Sequence, residues 1–109
     1  MIRAGDIVIG DFPRVQGIKR RPAVVVSSDQ CHQSRPDVIV GLVTSQIPTA
    51  PGATDHILID WRAAGLNKSS AFRAFLVTLP RAAISSSVGT STGSDANAIF
   101  NCVRNALAI

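Results

Sequence analysis

Five short runs of β-branched and apolar residues, each closed by Gly, Pro or a polar stretch, constrain this chain more than any other feature, because runs too short for helices must pair as strands. Residues 6–12, Asp-Ile-Val-Ile-Gly-Asp-Phe, lie between Gly5 and Pro13 and read as the first strand. Pro22 opens Ala-Val-Val-Val-Ser, and Pro is tolerated as the first residue of a strand. Val38 to Thr44 repeats the Val-rich pattern of a strand buried on both faces, and His56 to Asp60 and Ala71 to Thr78 supply a fourth and a fifth, the last ended by Pro80.

The intervening segments are read as connections. Arg14 to Arg21 is a basic loop around Gly17, Asp29 to Pro36 is polar and irregular, Ser45 to Thr54 carries Pro48, Pro51 and Gly52, and Gly65 to Ser70 is a turn. Ser85 to Ser94, dense in Ser and Thr, reads as a linker or surface loop. From Asp95 the pattern changes. Ile99, Cys102, Val103 and Ala106 recur at helical spacing with Phe100 and Leu107 beside them, Asn97, Asn101, Arg104 and Asn105 take the other side, and Ser94 or Asp95 is placed to cap. The expected fold is mostly β (α+β), a small, partly open barrel with one C-terminal helix over an end.

Length and composition bound the rest. A chain of 109 residues with 46% hydrophobic and 17% charged content carries one folded domain, residues 1–109. No run reaches the ~18 apolar residues of a membrane span, and Met-Ile-Arg-Ala-Gly-Asp lacks the apolar stretch of a signal peptide, so the expected compartment is the cytoplasm. Cys31 and Cys102 are far apart and read as reduced thiols. The 11 basic residues outnumber seven acids, and Arg predominates over Lys, which favours phosphate partners because guanidinium grips phosphate with paired hydrogen bonds. Arg14, Lys19, Arg20 and Arg21 fall within one short stretch; on charge alone, a solvated loop explains them equally well.

Most enzyme classes lack their residues here. There is no phosphate-cradling Gly-rich motif, no Cys/His or carboxylate metal cluster and no Gly-x-Ser-x-Gly elbow, which argues against an NTPase, a zinc enzyme or a serine hydrolase. His32 and His56 are acid/base candidates by intrinsic pKa, but neither has an identifiable partner in sequence, and both read as structural. Of the aromatics, Trp61 is the candidate for base stacking, with core packing the favoured reading.

Four segments in order, Gly5-Asp6-Ile7-Val8, Arg20-Arg21-Pro22-Ala23-Val24-Val25-Val26-Ser27, Val43-Thr44-Ser45-Gln46 and Ala64-Gly65-Leu66-Asn67-Lys68-Ser69-Ser70, resemble the MazF/PemK family of toxin endoribonucleases. Val88-Gly89 before the terminal helix is similar as well, so the likeness covers nearly the whole chain. It implies an SH3-like barrel, a homodimer, metal-independent and cofactor-free cleavage of single-stranded mRNA, and neutralisation by a cognate acidic antitoxin. It also implies that Arg21 and Thr44 form the catalytic pair; the neighbouring bases Arg14, Lys19 and Arg20 and the adjacent Ser45 and Gln46 are candidate substrate contacts, and Arg73 either holds phosphate or is a solvated strand residue.

Two departures matter. The first loop is shorter and more basic than the family's common version, and Arg73 is followed by Ala74 and Phe75 where some members carry an Asp proposed as a base. Two alternatives remain open at this level: a CcdB-like gyrase-targeting toxin with a similar barrel, and a non-catalytic RNA-binding barrel. The Arg21 and Thr44 pair separates the first from a nuclease, since a protein-binding poison has no chemical need for it.

Overall fold

The computed structural model describes residues 2–109. Six strands form one antiparallel sheet: β1 (Asp6–Arg14), β2 (Gly17–Val25), β3 (Asp37–Thr44), β4 (Asp55–Ile57), β5 (Ala71–Pro80) and β6 (Ile84–Thr90), in the order β4-β5-β3-β2-β1-β6. A short helix α1 (Asp29–Ser34) joins β2 to β3, and α2 (Gly93–Leu107) ends the chain against β4 and β5. The sheet curls without closing, so the expected partly open barrel with a C-terminal helix is what forms.

Both faces of the central strands are covered, which is why those strands read as unbroken Val runs rather than as alternating patterns. On one face Ile7, Val24, Val43 and Phe72 pack with Leu58, Ala64 and the helix residues Ile99, Cys102 and Val103. On the other, Val8, Phe12, Ala23, Val25, Val38, Val40 and Leu79 make a second cluster. Gly41 belongs to this economy of space: a Cβ there would stand 2.6 Å from Cζ of Phe72, so the ring fills the room a side chain would take.

Several connections prove to be regular structure. The basic segment from Arg14 to Arg21 is no loop; the β1–β2 ladder runs on through Gly10↔Arg21, Asp11↔Arg20, Phe12↔Lys19 and Arg14↔Gly17, with Val15 and Gln16 alone at the turn. Gly17 adopts φ +86°, which a side chain would resist. The hairpin end is solvated on both sides, so it carries no apolar alternation to read. Residues 29–34 form α1 because Ser28 Oγ accepts the Cys31 N–H at 3.1 Å, and no buried face announces it.

The Ser-rich segment expected as a loop is edge strand β6, paired with β1 through Ile7↔Gly89 and Val8↔Ser87. Strand four stops at Ile57, and strand five runs two residues past Thr78 to include Pro80. The terminal helix begins at Gly93 after Thr92, and neither Ser94 nor Asp95 caps it. Ala106 is exposed and Leu107 half-exposed, so the buried stripe is Asp95, Ile99, Cys102 and Val103.

Candidate active site

The β2–β3 ladder runs from Val25↔Val40 to Ala23↔Leu42, and Arg21 and Thr44 stand on the same two strands, each two residues beyond its last pair. Side chains alternate along a strand, so Arg21 lies on the same face of its own strand as Ala23, and Thr44 on the same face of its own as Leu42, the last pair of the ladder. Arg21 and Thr44 both line a cleft of about 430 Å³ at the sheet end. Three segments line it: Lys19 to Pro22 of β2, Val43 to Gln46 at the exit of β3, and Leu66, Asn67, Lys68 and Ser70 of the turn before β5.

The charge in this cleft is of one sign. Lys19, Arg20, Arg21 and Lys68 line it, and no Asp or Glu does. Arg20 Nε contacts Asp11 Oδ1 at 3.1 Å, but among the described residues Lys19, Arg21 and Lys68 have no carboxylate partner. Unpaired cations lining one cleft repel one another until an anion joins them, so the arrangement suits a phosphodiester.

Thr44 has a defined polarity. Its Oγ1 accepts the Gln46 N–H at 3.1 Å, which turns the chain at the strand exit and leaves the hydroxyl proton free to donate into the cleft. A donor in the same cleft as a guanidinium stabilises charge building on phosphoryl oxygens, whereas a neutral hydroxyl is too weakly basic to take the proton of the attacking group.

The sequence-derived set is thus partly assembled. Arg21, Thr44, Lys19, Arg20, Ser45 and Gln46 meet in the cleft, whereas Arg14 and Arg73 do not line it. Arg14 sits exposed at the hairpin end, and exposed Arg73 stands 3.8 Å from Asp55 Oδ1 across the β4–β5 pair. Leu66, Asn67, Lys68 and Ser70 join Arg21 and Thr44 in the cleft; in sequence they are marked only as part of the family-like segment Ala64 to Ser70, with no chemistry attached.

Both histidines are engaged elsewhere. His56 Nε2 donates to Asp95 Oδ1 at 2.7 Å, and the same carboxylate accepts Ile59 N–H at 3.0 Å and Asp60 N–H at 2.8 Å. Burial works against the Asp95 charge, but these donors from Ile59, His56 and Asp60 outweigh it and hold the carboxyl below its usual value. His32 Nε2 lies 2.6 Å from Ser27 Oγ beside a separate hollow lined by Ile2, Asp29, Gln33 and Arg81, where charges are mixed. Burial and the Asp55 charge push the Cys102 thiol up, as expected of an inert core cysteine. Trp61 packs against the helix-side core, and the exposed aromatic is Phe75 instead.

Among the described residues no group of three or more His, Cys, Asp or Glu side chains could hold a metal ion, and no helix is long and apolar enough to cross a membrane. The sequence pattern of the PemK-like, MazF-like toxins of type II toxin–antitoxin systems matches residues 3–107. The chain belongs to this family. That assignment does not favour the gyrase-targeting alternative.

Its fold is similar to solved structures across nearly the full length of each. One is an endoribonuclease in complex with its cognate antitoxin from a mycobacterial species, with TM-score 0.79 and 19% identity, covering 100% of this chain and 97% of the other. A second is the toxin MazF-mt6 of Mycobacterium tuberculosis, with TM-score 0.77, 20% identity and coverage of 95% and 97%. A third is MazE-MazF of Deinococcus radiodurans, with TM-score 0.78, 17% identity and coverage of 98% and 96%.

Proposed function

We propose that this toxin is a metal-independent endoribonuclease that cuts single-stranded RNA in the Arg21–Thr44 cleft. The observation that carries the reading is that one cleft is lined by a guanidinium, a free hydroxyl donor and the unpaired cations Lys19 and Lys68, with no carboxylate among its lining residues. The nucleophile is already in the substrate. The ribose 2′-oxygen attacks the adjacent phosphorus in line, its proton passes to water, the bond from phosphorus to the 5′-oxygen breaks, and that oxygen leaves as a hydroxyl after gaining a proton from water. The products are a 2′,3′-cyclic phosphate and a 5′-OH. Arg21 stabilises the charge on the phosphoryl oxygens, and Thr44 donates to one of them. Lys19, Arg20, Ser45, Gln46, Asn67, Lys68 and Ser70 hold the flanking backbone, while Arg14 and Arg73 contact it further out.

The rest of the reading follows the family and the charge. Residues 1–109 form one toxin domain that works as a homodimer in the cytoplasm, since a single small barrel offers little length to hold an extended RNA. A cognate antitoxin with an acidic, apolar segment competes for the basic cleft, and its binding weakens with salt because exposed charges are screened beyond about 10 Å at 0.1 M. The test is cleavage of a single-stranded RNA by the purified protein and by Arg21→Ala. The loss of one well-placed electrostatic donor lowers the rate on the order of 10²–10³. A variant cutting at near the wild-type rate contradicts the assignment.

A further inference from the structure

The segment of the cleft lining that holds Asn67 and Lys68 is set by a contact far from the chemistry. Gly65 and Gly89 meet backbone to backbone. A Cβ on Gly89 would overlap the Ala64 carbonyl oxygen and stand 2.6 Å from its carbon and 3.1 Å from Gly65 N. A Cβ on Gly65, which also has φ +93°, would overlap the Val88 carbonyl oxygen and stand 2.8 Å from its carbon. The approach is reciprocal, so each glycine is required by the other's backbone. Val88 is the residue at which the β1–β6 register shifts, between Ile7↔Gly89 and Val8↔Ser87, and this irregularity turns its carbonyl toward the 64–65 turn.

The turn cannot absorb an added atom locally. Ala64 N–H bonds Asp60 O at 3.1 Å, Gly65 N–H bonds Arg62 O at 3.0 Å and Leu66 N–H bonds Trp61 O at 3.0 Å, so residues 60–66 move as a unit. The near end of that unit is pinned by Asp95 on Asp60 N–H, and beyond the far end buried Ser70 is held by Leu58 N–H on its carbonyl oxygen at 3.0 Å, while its Oγ donates to Lys68 O at 2.8 Å. With both ends fixed, pressure on Ala64 passes to Leu66, Asn67 and Lys68, which line the cleft. Arg21 and Thr44 stand on β2 and β3, outside this unit.

We propose that Gly89 and Gly65 are positioning residues that set where Asn67 and Lys68 meet the RNA, so that edge strand β6 governs substrate binding without touching substrate. The inference rests on the cleft being the RNA site. It assigns a functional task to Val88-Gly89, a pair that does not line the cleft.

The experiment is steady-state cleavage of an RNA oligonucleotide by the wild type, Lys68→Ala, Gly89→Ala and the double variant. Each single change is expected to raise KM on the order of tenfold, the loss of one hydrogen bond to a charged group, with kcat within about threefold. Because Gly89 acts through Lys68 and its neighbour, the double variant should raise KM less than about twofold beyond the worse single one. The sole tryptophan, Trp61, lies in the displaced turn, so its emission should shift in Gly89→Ala while the protein keeps its oligomeric state and cooperative unfolding. Should Gly89→Ala fail to fold, Gly65→Asn presses on the same contact from the turn side with a residue that tolerates positive φ. The proposal is overturned by an unchanged KM, by effects that multiply in the double variant, by a fall in kcat alone, or by failure of both glycine variants to fold. A wild-type protein that does not cut RNA defeats the nuclease reading instead, before any glycine variant is made.

Discussion

Replacing Asp95 by Ala should cost this protein more stability than any change in the cleft. The carboxylate is 2% exposed and accepts three hydrogen bonds, from His56 Nε2, Ile59 N–H and Asp60 N–H, tying the start of α2 to the chain leaving β4. Removing it leaves three donors without an acceptor, each costing about 1–3 kcal/mol. Ile59 and Asp60 are exposed residues, so water recovers part of that loss and the low end applies, for a total of about 3 kcal/mol. Asp95→Asn keeps the shape but turns an NH₂ toward at least one N–H, and should lose about 1.5 kcal/mol. Urea unfolding at one protein concentration measures this as a lower midpoint at constant slope.

The pH dependence has a definite sign. Because the folded carboxyl lies below its unfolded value of about 3.9, its contribution is complete above that value and disappears as pH falls through the folded one. The wild type should therefore lose stability in acid more steeply than Asp95→Asn. An Asp95→Ala protein within about 0.5 kcal/mol of wild type, or acid curves that run parallel, would refute the clamp.

Three further outcomes concern the cleft. Arg21→Lys should restore little of the activity lost in Arg21→Ala, because an ammonium cannot reproduce the planar fork; single-turnover rates decide. Thr44→Ser should keep most of the rate and Thr44→Val lose on the order of 10²-fold, as fits a donor; equal losses would show that the hydroxyl has no part. No lining residue of the cleft is His, Asp, Glu or Cys, so log kcat/KM should climb without a side-chain inflection between about pH 5 and 8, and a bell centred there would point to a base elsewhere.

The parts legible in sequence are those where burial wrote a pattern. Val24 to Val25 and Val38 to Val43 are apolar because both sheet faces are covered, and Ile99, Cys102 and Val103 mark the helix face. The hairpin end at Lys19 and Arg20 and the Ser-rich β6 carry no such mark, since their backbones pair while their side chains face water. Asp95 has a capping residue's identity but sits inside the first turn of α2, and its partners lie more than 30 positions earlier in the chain, beyond any local rule. Arg21 and Thr44 stood out only through the resemblance; no spacing rule joins positions on separate strands. Both line one cleft just beyond the end of the β2–β3 ladder. Gly65 and Gly89 were visible as glycines, but the contact that requires them is tertiary.

The most direct test of the central claim is to map the ends left on a synthetic single-stranded RNA cut in the presence of EDTA. Mass spectrometry should find a 2′,3′-cyclic phosphate on one fragment and a 5′-OH on the other, and a single 2′-deoxy substitution at the cut nucleotide should stop cleavage there. Loss of cutting in EDTA, a 5′-phosphate product, or cleavage at the deoxy position would contradict attack by the 2′-OH in a metal-free Arg21–Thr44 site.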